Sequence, residues 1–173
     1  MVSFRKITTF IILFFTFFTV NSYSEVINKV TVNGNERISL ETIIIFGDIS
    51  IGANYEESDI NLLIKKLYET NFFSNISVEF ENNKITITVK ENPIVYSITF
   101  NGEKTKKNVE RIKEFLLVKE KSSFVKNNIK IDINQIKSFY RLLGYYFVKI
   151  DAEVEKLEKN KVNIFYTVDT GEK

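Results

Sequence analysis

The alternation of apolar and polar positions predicts the same short strand twice. Residues 30–34 read Val-Thr-Val-Asn-Gly, and residues 98–102 read Ile-Thr-Phe-Asn-Gly, 68 positions later. β-Branched and aromatic residues favour a strand, and Asn-Gly tolerates the positive φ of a sharp turn. A short helix is predicted after each phrase. It covers residues 39–46 in the first copy and residues 106–117 in the second.

These short helices have recognisable ends. Ser39 and Thr105 are the expected N-caps, because a hydroxyl oxygen can accept the bond of an unpaired amide in the first turn. Gly47 is the expected end of the first helix, since glycine adopts the left-handed cap conformation at low cost.

A longer amphipathic helix is predicted next in each copy, with apolar residues at the spacing of one buried helical face. These residues are Ile60, Leu63, Ile64, Leu67 and Tyr68 in the first copy, and Ile129, Ile133, Ile136, Tyr140 and Leu143 in the second. The helices are expected to end at Asn71 and Gly144, each followed by a pair of aromatic residues.

Each copy closes with a hairpin. Apolar residues alternate with polar ones over 76–80 and 85–89, around Asn82-Asn83, and again over 148–154 and 162–168. The offset between matching features grows from 68 to 73 to 77 while their order stays the same. The chain is therefore predicted to hold two copies of a strand-helix-helix-strand-strand unit, with insertions in the loops of the second.

The junction between the copies carries a family resemblance. Residues 89–93 read Val-Lys-Glu-Asn-Pro and lead into Ile-Val-Tyr-Ser-Ile-Thr-Phe-Asn-Gly at 94–102. This stretch, together with residues 27–34, 67–73 and 136–146, resembles the first two polypeptide-transport-associated (POTRA) domains of Gram-negative outer-membrane assembly factors of the BamA type. The resemblance implies an α+β fold of two tandem POTRA domains, at 25–91 and 92–173. Each domain would have a three-stranded mixed sheet covered by two helices, with the last strand in the middle.

Residues 1–24 differ from the rest and predict a secretory signal peptide. Arg5 and Lys6 precede an uncharged, largely apolar run over 7–20, and small residues precede an expected cleavage site after Ser24. The alternative is an uncleaved membrane anchor, but the apolar run is short against the roughly 20 residues that a spanning helix needs.

Composition limits the chemistry. The 173 residues include no cysteine and no histidine, which removes the commonest zinc ligands, the thiol nucleophile and the usual base of a hydrolase triad. A carboxylate-based exported enzyme stays open, but no acid pair at a defined spacing supports one, and no cofactor or metal is predicted. Six basic and eleven acidic residues lie in 25–91, against sixteen and eleven in 92–173. Export and the lack of a basic stripe argue against nucleic acid.

The resemblance also implies a location, partners and a binding mode. It places the chain at the periplasmic face of the outer membrane, with unfolded β-barrel precursors and accessory lipoproteins as partners and with further repeats and a membrane barrel in the full-length protein. A two-partner secretion transporter is the alternative. The second strand of each sheet would be an edge to which an extended client can pair. The client-binding residues expected are Asn75, Ile76, Ser77, Val78, Glu79, Phe80, Phe147, Val148, Lys149, Ile150, Asp151, Ala152 and Glu153. Exposed charges on both strands leave open that these are merely edges protected against aggregation.

Overall fold

The computed structural model describes residues 25–171, which form two copies of one α+β unit. The predicted signal peptide lies outside the described residues. The first repeat runs in the order β1 Glu25–Val26, β2 Lys29–Asn33, α1 Leu40–Gly47, β3 Asn54–Tyr55, α2 Glu57–Glu69, β4 Phe73–Glu81 and β5 Lys84–Glu91. The second repeat runs in the order β6 Ile94–Asn101, α3 Lys106–Phe115, α4 Lys126–Leu142, β7 Lys149–Leu157 and β8 Lys161–Asp169.

Each repeat has a three-stranded mixed sheet. The strand order is β2-β5-β4 in the first repeat and β6-β8-β7 in the second, and in the first repeat β1 and β3 form a separate two-residue pairing. The first strand of each sheet is parallel to the central strand, and the second strand is antiparallel to it. The predicted fold class, with the last strand in the middle, is confirmed.

Two separate cores hold the helices on the sheets. The first includes Leu63 and Leu67 from α2 against Ile85 and Ile87 from β5. The second includes Ile112, Ile136, Tyr140, Ile164 and Tyr166. Ile87 and Ile164 are fully buried, and each contributes about 1.5–3 kcal/mol by leaving water. The predicted strand phase and most of the predicted helical faces therefore meet as expected, but Tyr68 and Leu143, at the C-terminal ends of those faces, are 41% and 39% exposed.

The repeated Asn-Gly phrase has a steric cause. Gly34 and Gly102 follow the first strand of their sheets with φ of +79° and +85°. A Cβ atom on Gly34 would lie 2.2 Å from the carbonyl oxygen of Val89, and one on Gly102 would lie 2.1 Å from that of Val168. Only glycine combines this backbone conformation with this close approach to the central strand.

The ends of the short helices differ in part from the prediction. Ser39 caps α1 as expected, because its hydroxyl accepts the amide of Thr42 at 3.2 Å. Gly47 is not the left-handed cap of α1. It is the last helical residue, and Asp48 takes the left-handed cap at φ 54° while its carboxylate binds Lys66 at 2.7 Å. Gly47 instead leaves space for Ile49, whose Cγ1 would lie 3.1 Å from an added Cβ.

In the second repeat, α3 ends at Phe115 and not at 117, because Leu116 turns to extended backbone at ψ 143°. Thr105 occupies the N-cap position of α3 without a capping side-chain bond. The carboxylate of Glu103 accepts the Thr105 amide and the side-chain amide of Asn108 instead, at 2.6 and 3.0 Å. An acidic side chain thus serves the helix start that the hydroxyl was expected to serve.

The junction between the repeats is short and well bonded. The buried carboxylate of Glu91 accepts the backbone amides of Glu36, Arg37 and Ile38 at 2.8–3.0 Å, which fixes the loop after β2. The next residue, Asn92, donates from its backbone to Phe72 at 2.7 Å and from its side chain to Asn71 at 2.9 Å. These bonds hold the end of α2 against the start of the second repeat.

Candidate functional site

In each three-stranded sheet, the strand that comes second along the chain, β4 or β7, is paired on one side only among the described residues. β4 pairs with β5, and β7 pairs with β8. Each of these edge strands is nine residues long. Most residues of the expected site lie on them, namely Asn75, Ile76, Ser77, Val78, Glu79 and Phe80 on β4, and Lys149, Ile150, Asp151, Ala152 and Glu153 on β7. Phe147 and Val148 precede β7, which begins at Lys149.

The hairpin turn decides which backbone groups of β4 point away from the sheet. Asn82 and Asn83 both have positive φ, as in a type I′ turn, so Glu81 and Lys84 exchange the closing pair of hydrogen bonds. Facing residues in antiparallel strands alternate between bonded and non-bonded pairs. The N–H and C=O groups of Ile76, Val78 and Phe80 therefore face outward.

The same alternation applies to β7. The carbonyl of Val168 points towards Gly102 on the β6 side, so Ile150, opposite Val168, is in a non-bonded pair with its backbone groups outward. Counting along the strand, Ala152 and Val154 also present outward N–H and C=O groups. Each edge therefore offers a row of backbone partners with the period of a β-strand.

The opposite edge of each sheet is partly covered by the loop between the two helices. In the first repeat, the Ile27 amide donates to Ala53 at 3.0 Å, and the Gly52 amide donates to Ile27 at 2.7 Å. In the second, the Val95 amide donates to Ser122 at 2.9 Å, and the Lys121 amide donates to Val95 at 2.7 Å. The loops leave β4 and β7 as the longer open edges.

A carboxylate adds to this cover in the second repeat. Glu120 accepts the backbone amide of Ile98 at 3.2 Å and the ammonium of Lys113 at 3.2 Å. The bond from Ile98 is the main cause that lowers the pKa of Glu120 below its usual value, so this carboxylate is charged at neutral pH. A charged side chain on the edge of β6 obstructs further strand pairing there.

The two open edges differ at one position. The hydroxyl of Tyr68, at the end of α2, accepts the outward amide of Ile76 at 3.1 Å. In the second repeat, within residues 25–171, no side chain makes the matching bond to Ile150. On β4, therefore, only the outward amides of Val78 and Phe80 lack a side-chain partner among the described residues. On β7 there are three such amides, those of Ile150, Ala152 and Val154.

The exposed face of both edges is mainly acidic. The solvent-facing side chains are Ser77, Glu79 and Glu81 on β4, and Lys149, Asp151, Glu153 and Glu155 on β7. They stand perpendicular to the hydrogen-bonding direction, so they border the row of outward backbone groups without filling it.

A buried carboxylate in the second repeat escaped the sequence analysis. Asp132 lies on α4 with no exposed surface and accepts the amides of Leu117 and Val118 at 2.7 and 3.1 Å and the Tyr166 hydroxyl at 3.0 Å. Burial, and then the charge of Asp132, raise the pKa of Tyr166. The signal was present, because Asp132 lies three residues after Ile129 and four before Ile136, on the predicted buried face of the helix. Through these three bonds, Asp132 ties the loop after α3 to the central strand β8.

Other kinds of site are not found in residues 25–171. No group of three or more His, Cys, Asp or Glu side chains in this part of the chain is placed to hold a metal ion. None of the helices described is both long and apolar enough to cross a membrane.

Comparison with known proteins gives a consistent set of similarities. The POTRA family, described as surface antigen variable number repeat, matches residues 93–171. The outer membrane protein assembly factor BamA of Neisseria meningitidis serogroup B is 26% identical over 147 residues, which is 84% of this chain and 18% of that protein. The chain thus spans less than a fifth of that relative's length.

Solved structures share the fold. The N-terminal domain of Omp85 from Thermosynechococcus elongatus superimposes with a TM-score of 0.58 at 16% identity, covering 87% of this chain and 65% of that one. The first and second POTRA domains of Omp85 from Anabaena give a TM-score of 0.52 at 14% identity, covering 87% of this chain and 98% of theirs. A tandem pair of such domains matches the two repeats described above.

Proposed function

We propose that this chain consists of POTRA domains of the BamA type and receives unfolded outer-membrane β-barrel proteins at the periplasmic face of the outer membrane. The observation that carries the proposal is the open nine-residue edge strand in each repeat. The proposed role is one of binding and not of catalysis, with accessory proteins docked on other surfaces of the same domains.

Edge pairing suits clients of many sequences. An added strand gains hydrogen bonds from its main chain, which every residue carries whatever its side chain. Strands of membrane barrels have about 9–11 residues, the length that β4 and β7 can match. The name of the Neisseria relative, an outer membrane protein assembly factor, supports this class of client.

The side chains that border the edges suggest which face of a client strand lies on the solvent side of the sheet. A client strand that pairs with β7 would place alternate side chains beside Asp151 and Glu153 and the others beside Ala152 and Val154. Barrel strands alternate polar and apolar residues with the same period. We therefore expect the polar, preferably basic, face of the client to lie on the acidic solvent side of the sheet.

Proline substitution at an outward position tests the proposal. Val78→Pro and Ala152→Pro each remove one outward N–H and leave the bonds to the central strand in place, a position where edge strands tolerate proline. Val78→Ala and Ala152→Ser are the matched controls, because they change the side chain and keep the N–H. The probe is a ten-residue synthetic peptide of alternating polar and apolar residues, copied from a barrel strand.

The double proline variant should bind this peptide at least tenfold more weakly than the double control, with an unchanged circular dichroism spectrum. If a folded double proline variant binds as tightly as the control, the edges are not the site, and the reading of these strands as edges protected against aggregation is preferred.

A further inference from the structure

An apolar groove lies between the two helices of the second repeat, away from the edge strands. It has a volume of 530 Å³, and its wall includes Phe115 from α3 and Ile131, Gln135, Ser138, Phe139 and Leu142 from α4. Leu142 is 88% exposed and Ile131 is 44% exposed. Apolar surface gathered in a concave site is typical of binding sites for partners.

The fold itself does not require this groove, and the first repeat serves as the comparison. Leu63 and Leu67 of α2 correspond to Ile136 and Tyr140 of α4, an offset of 73. At that offset, Ile131, Ser138, Phe139 and Leu142 correspond to Ser58, Lys65, Lys66 and Glu69. Lys65 and Glu69 lie 3.9 Å apart as an ion pair, and Lys66 binds Asp48 at 2.7 Å. Apart from Leu62, the 48% exposed counterpart of Gln135, the first repeat therefore presents a charged, solvated surface where the second presents an apolar one.

One residue that lines the groove, Gln135, has a polar atom without a hydrogen-bond partner among the described residues. The side-chain oxygen of Gln135 is buried, and no donor reaches it within the described part of the chain. Buried acceptors are satisfied in the great majority of folded proteins.

The charges around the groove indicate the sign of the partner. The charged residues of α4 are Lys126, Lys130, Lys137 and Arg141, apart from Asp132, which is fully buried. Lys130 and Lys137 lie four residues before and three residues after the groove residue Asn134, and Arg141 lies three residues after Ser138, so these basic residues are neighbours of the groove on the surface of the helix. The α4 side of the apolar floor is thus bordered by positive charge, which attracts an acidic partner.

We propose that this groove docks an acidic amphipathic helix of a partner protein. A ridge of apolar side chains at i, i+4 and i+7 on that helix would enter the space between α3 and α4, and its glutamates would face the basic residues of α4. A membrane surface fits less well, because lipid contact favours protruding apolar residues and this site is a concavity with a buried acceptor. The inference rests on the docking part of the proposed function and names a surface for it.

The probe is a hydrocarbon-stapled helical peptide of eighteen residues, with leucines on one face and glutamates on both flanks. A control peptide of the same length replaces each glutamate by lysine. The double variant Ile131→Ser with Leu142→Glu installs in the groove the residues of the first repeat. Both positions are exposed, so the fold should be retained. Ile45→Ser is the matched control, since it removes an isoleucine that is 74% exposed on the first repeat.

Amide chemical shifts and fluorescence anisotropy should show saturable binding of the acidic peptide, with shifts at Phe115, Gln135 and Phe139. The double variant should weaken this binding at least tenfold, Ile45→Ser should not change it, and the lysine peptide should not bind. Absent binding, shifts confined to β4 and β7, or equal binding of the lysine peptide would overturn the proposal. Binding of anionic vesicles without binding of the peptide would favour a membrane surface instead.

The two proposals can fail separately. The double groove variant should still bind the ten-residue strand peptide as the unmodified chain does, because β4 and β7 are unchanged. Loss of strand binding with intact helix binding would reject the edge proposal alone.

Discussion

Adding one methyl group to Gly102 should destabilise the second repeat more than adding it to Gly144. Both glycines have positive φ, +85° and +92°. An alanine at either position takes a left-handed backbone conformation, which costs about 1–2 kcal/mol. At Gly144 this is the whole expected effect, because no atom lies within 4 Å of the added Cβ. Gly144→Ala is therefore a control for backbone strain.

At Gly102 a steric term is added. The Cβ would lie 2.1 Å from the Val168 carbonyl oxygen, and real Cβ atoms essentially never come within 3.0 Å. The end of β6 must therefore move away from β8 by nearly 1 Å, which weakens the last pairing, Asn101 with Thr167. With about 1 kcal/mol for a hydrogen bond lost at this pairing, added to the backbone strain, the total is about 2–3 kcal/mol. Gly34→Ala should affect the first repeat in the same way.

Urea titration followed by two-dimensional amide spectra measures this effect, because resolved amides report each repeat separately. For a domain of this size the free energy of unfolding falls by about 1 kcal/mol per molar urea. The midpoint of the second repeat should then fall by about 2–3 M for Gly102→Ala and by about 1–2 M for Gly144→Ala, with the fall for Gly102→Ala larger by about 1 M. Equal shifts for the two variants would refute the steric explanation of the repeated Asn-Gly phrase.

Three further predictions concern the cores. Ile87→Asp should unfold the first repeat, since it places an unpaired charge at a fully buried position at a cost of several kcal/mol, and a native circular dichroism spectrum would contradict this. Asp132→Ala should lower the free energy of unfolding of the second repeat by about 3 kcal/mol or more, because three donors lose their acceptor. A urea midpoint that falls by less than about 0.5 M, which corresponds to a loss of about 0.5 kcal/mol, would be inconsistent with this role. Burial raises the pKa of Tyr140 and Tyr166 in the fold, so their neutral forms stabilise it below about pH 10 and this contribution is lost as the pH rises further. The urea midpoint of the second repeat should fall above that pH, and the fall should be smaller in Tyr166→Phe.

Much of the fold was predictable because local pattern and tertiary packing agree. The period-2 alternation around Asn82-Asn83 gave the hairpin, and the apolar face from Ile60 to Leu67 gave helix α2. The end of α1 was predicted incorrectly because a glycine after a helix is usually a cap, whereas Gly47 is required for its small size beside Ile49. Whether a glycine serves conformation or space depends on its neighbours in three dimensions, which the local pattern does not contain.

The candidate site was predictable only in outline. The order of the strands identifies β4 and β7 as edges, but the cover on the opposite edge comes from loops at 50–55 and 119–124 that have no strand pattern. The bond from the Ile76 amide to Tyr68 also depends on how α2 crosses the sheet. The groove of the second repeat joins Phe115 of α3 to residues of α4, and the local pattern does not show that these residues meet.

Hydrogen exchange at single amides of the edge strands tests the central claim most directly. In the chain alone, the outward amides of Val78, Phe80, Ala152 and Val154 should exchange faster than their inward neighbours, which bond to the central strands. A saturating barrel-strand peptide should slow these outward amides by tenfold or more and leave the inward ones unchanged, so that protection appears at every second residue. Unchanged exchange at the outward amides of both strands, under conditions where the peptide is bound, would contradict the account.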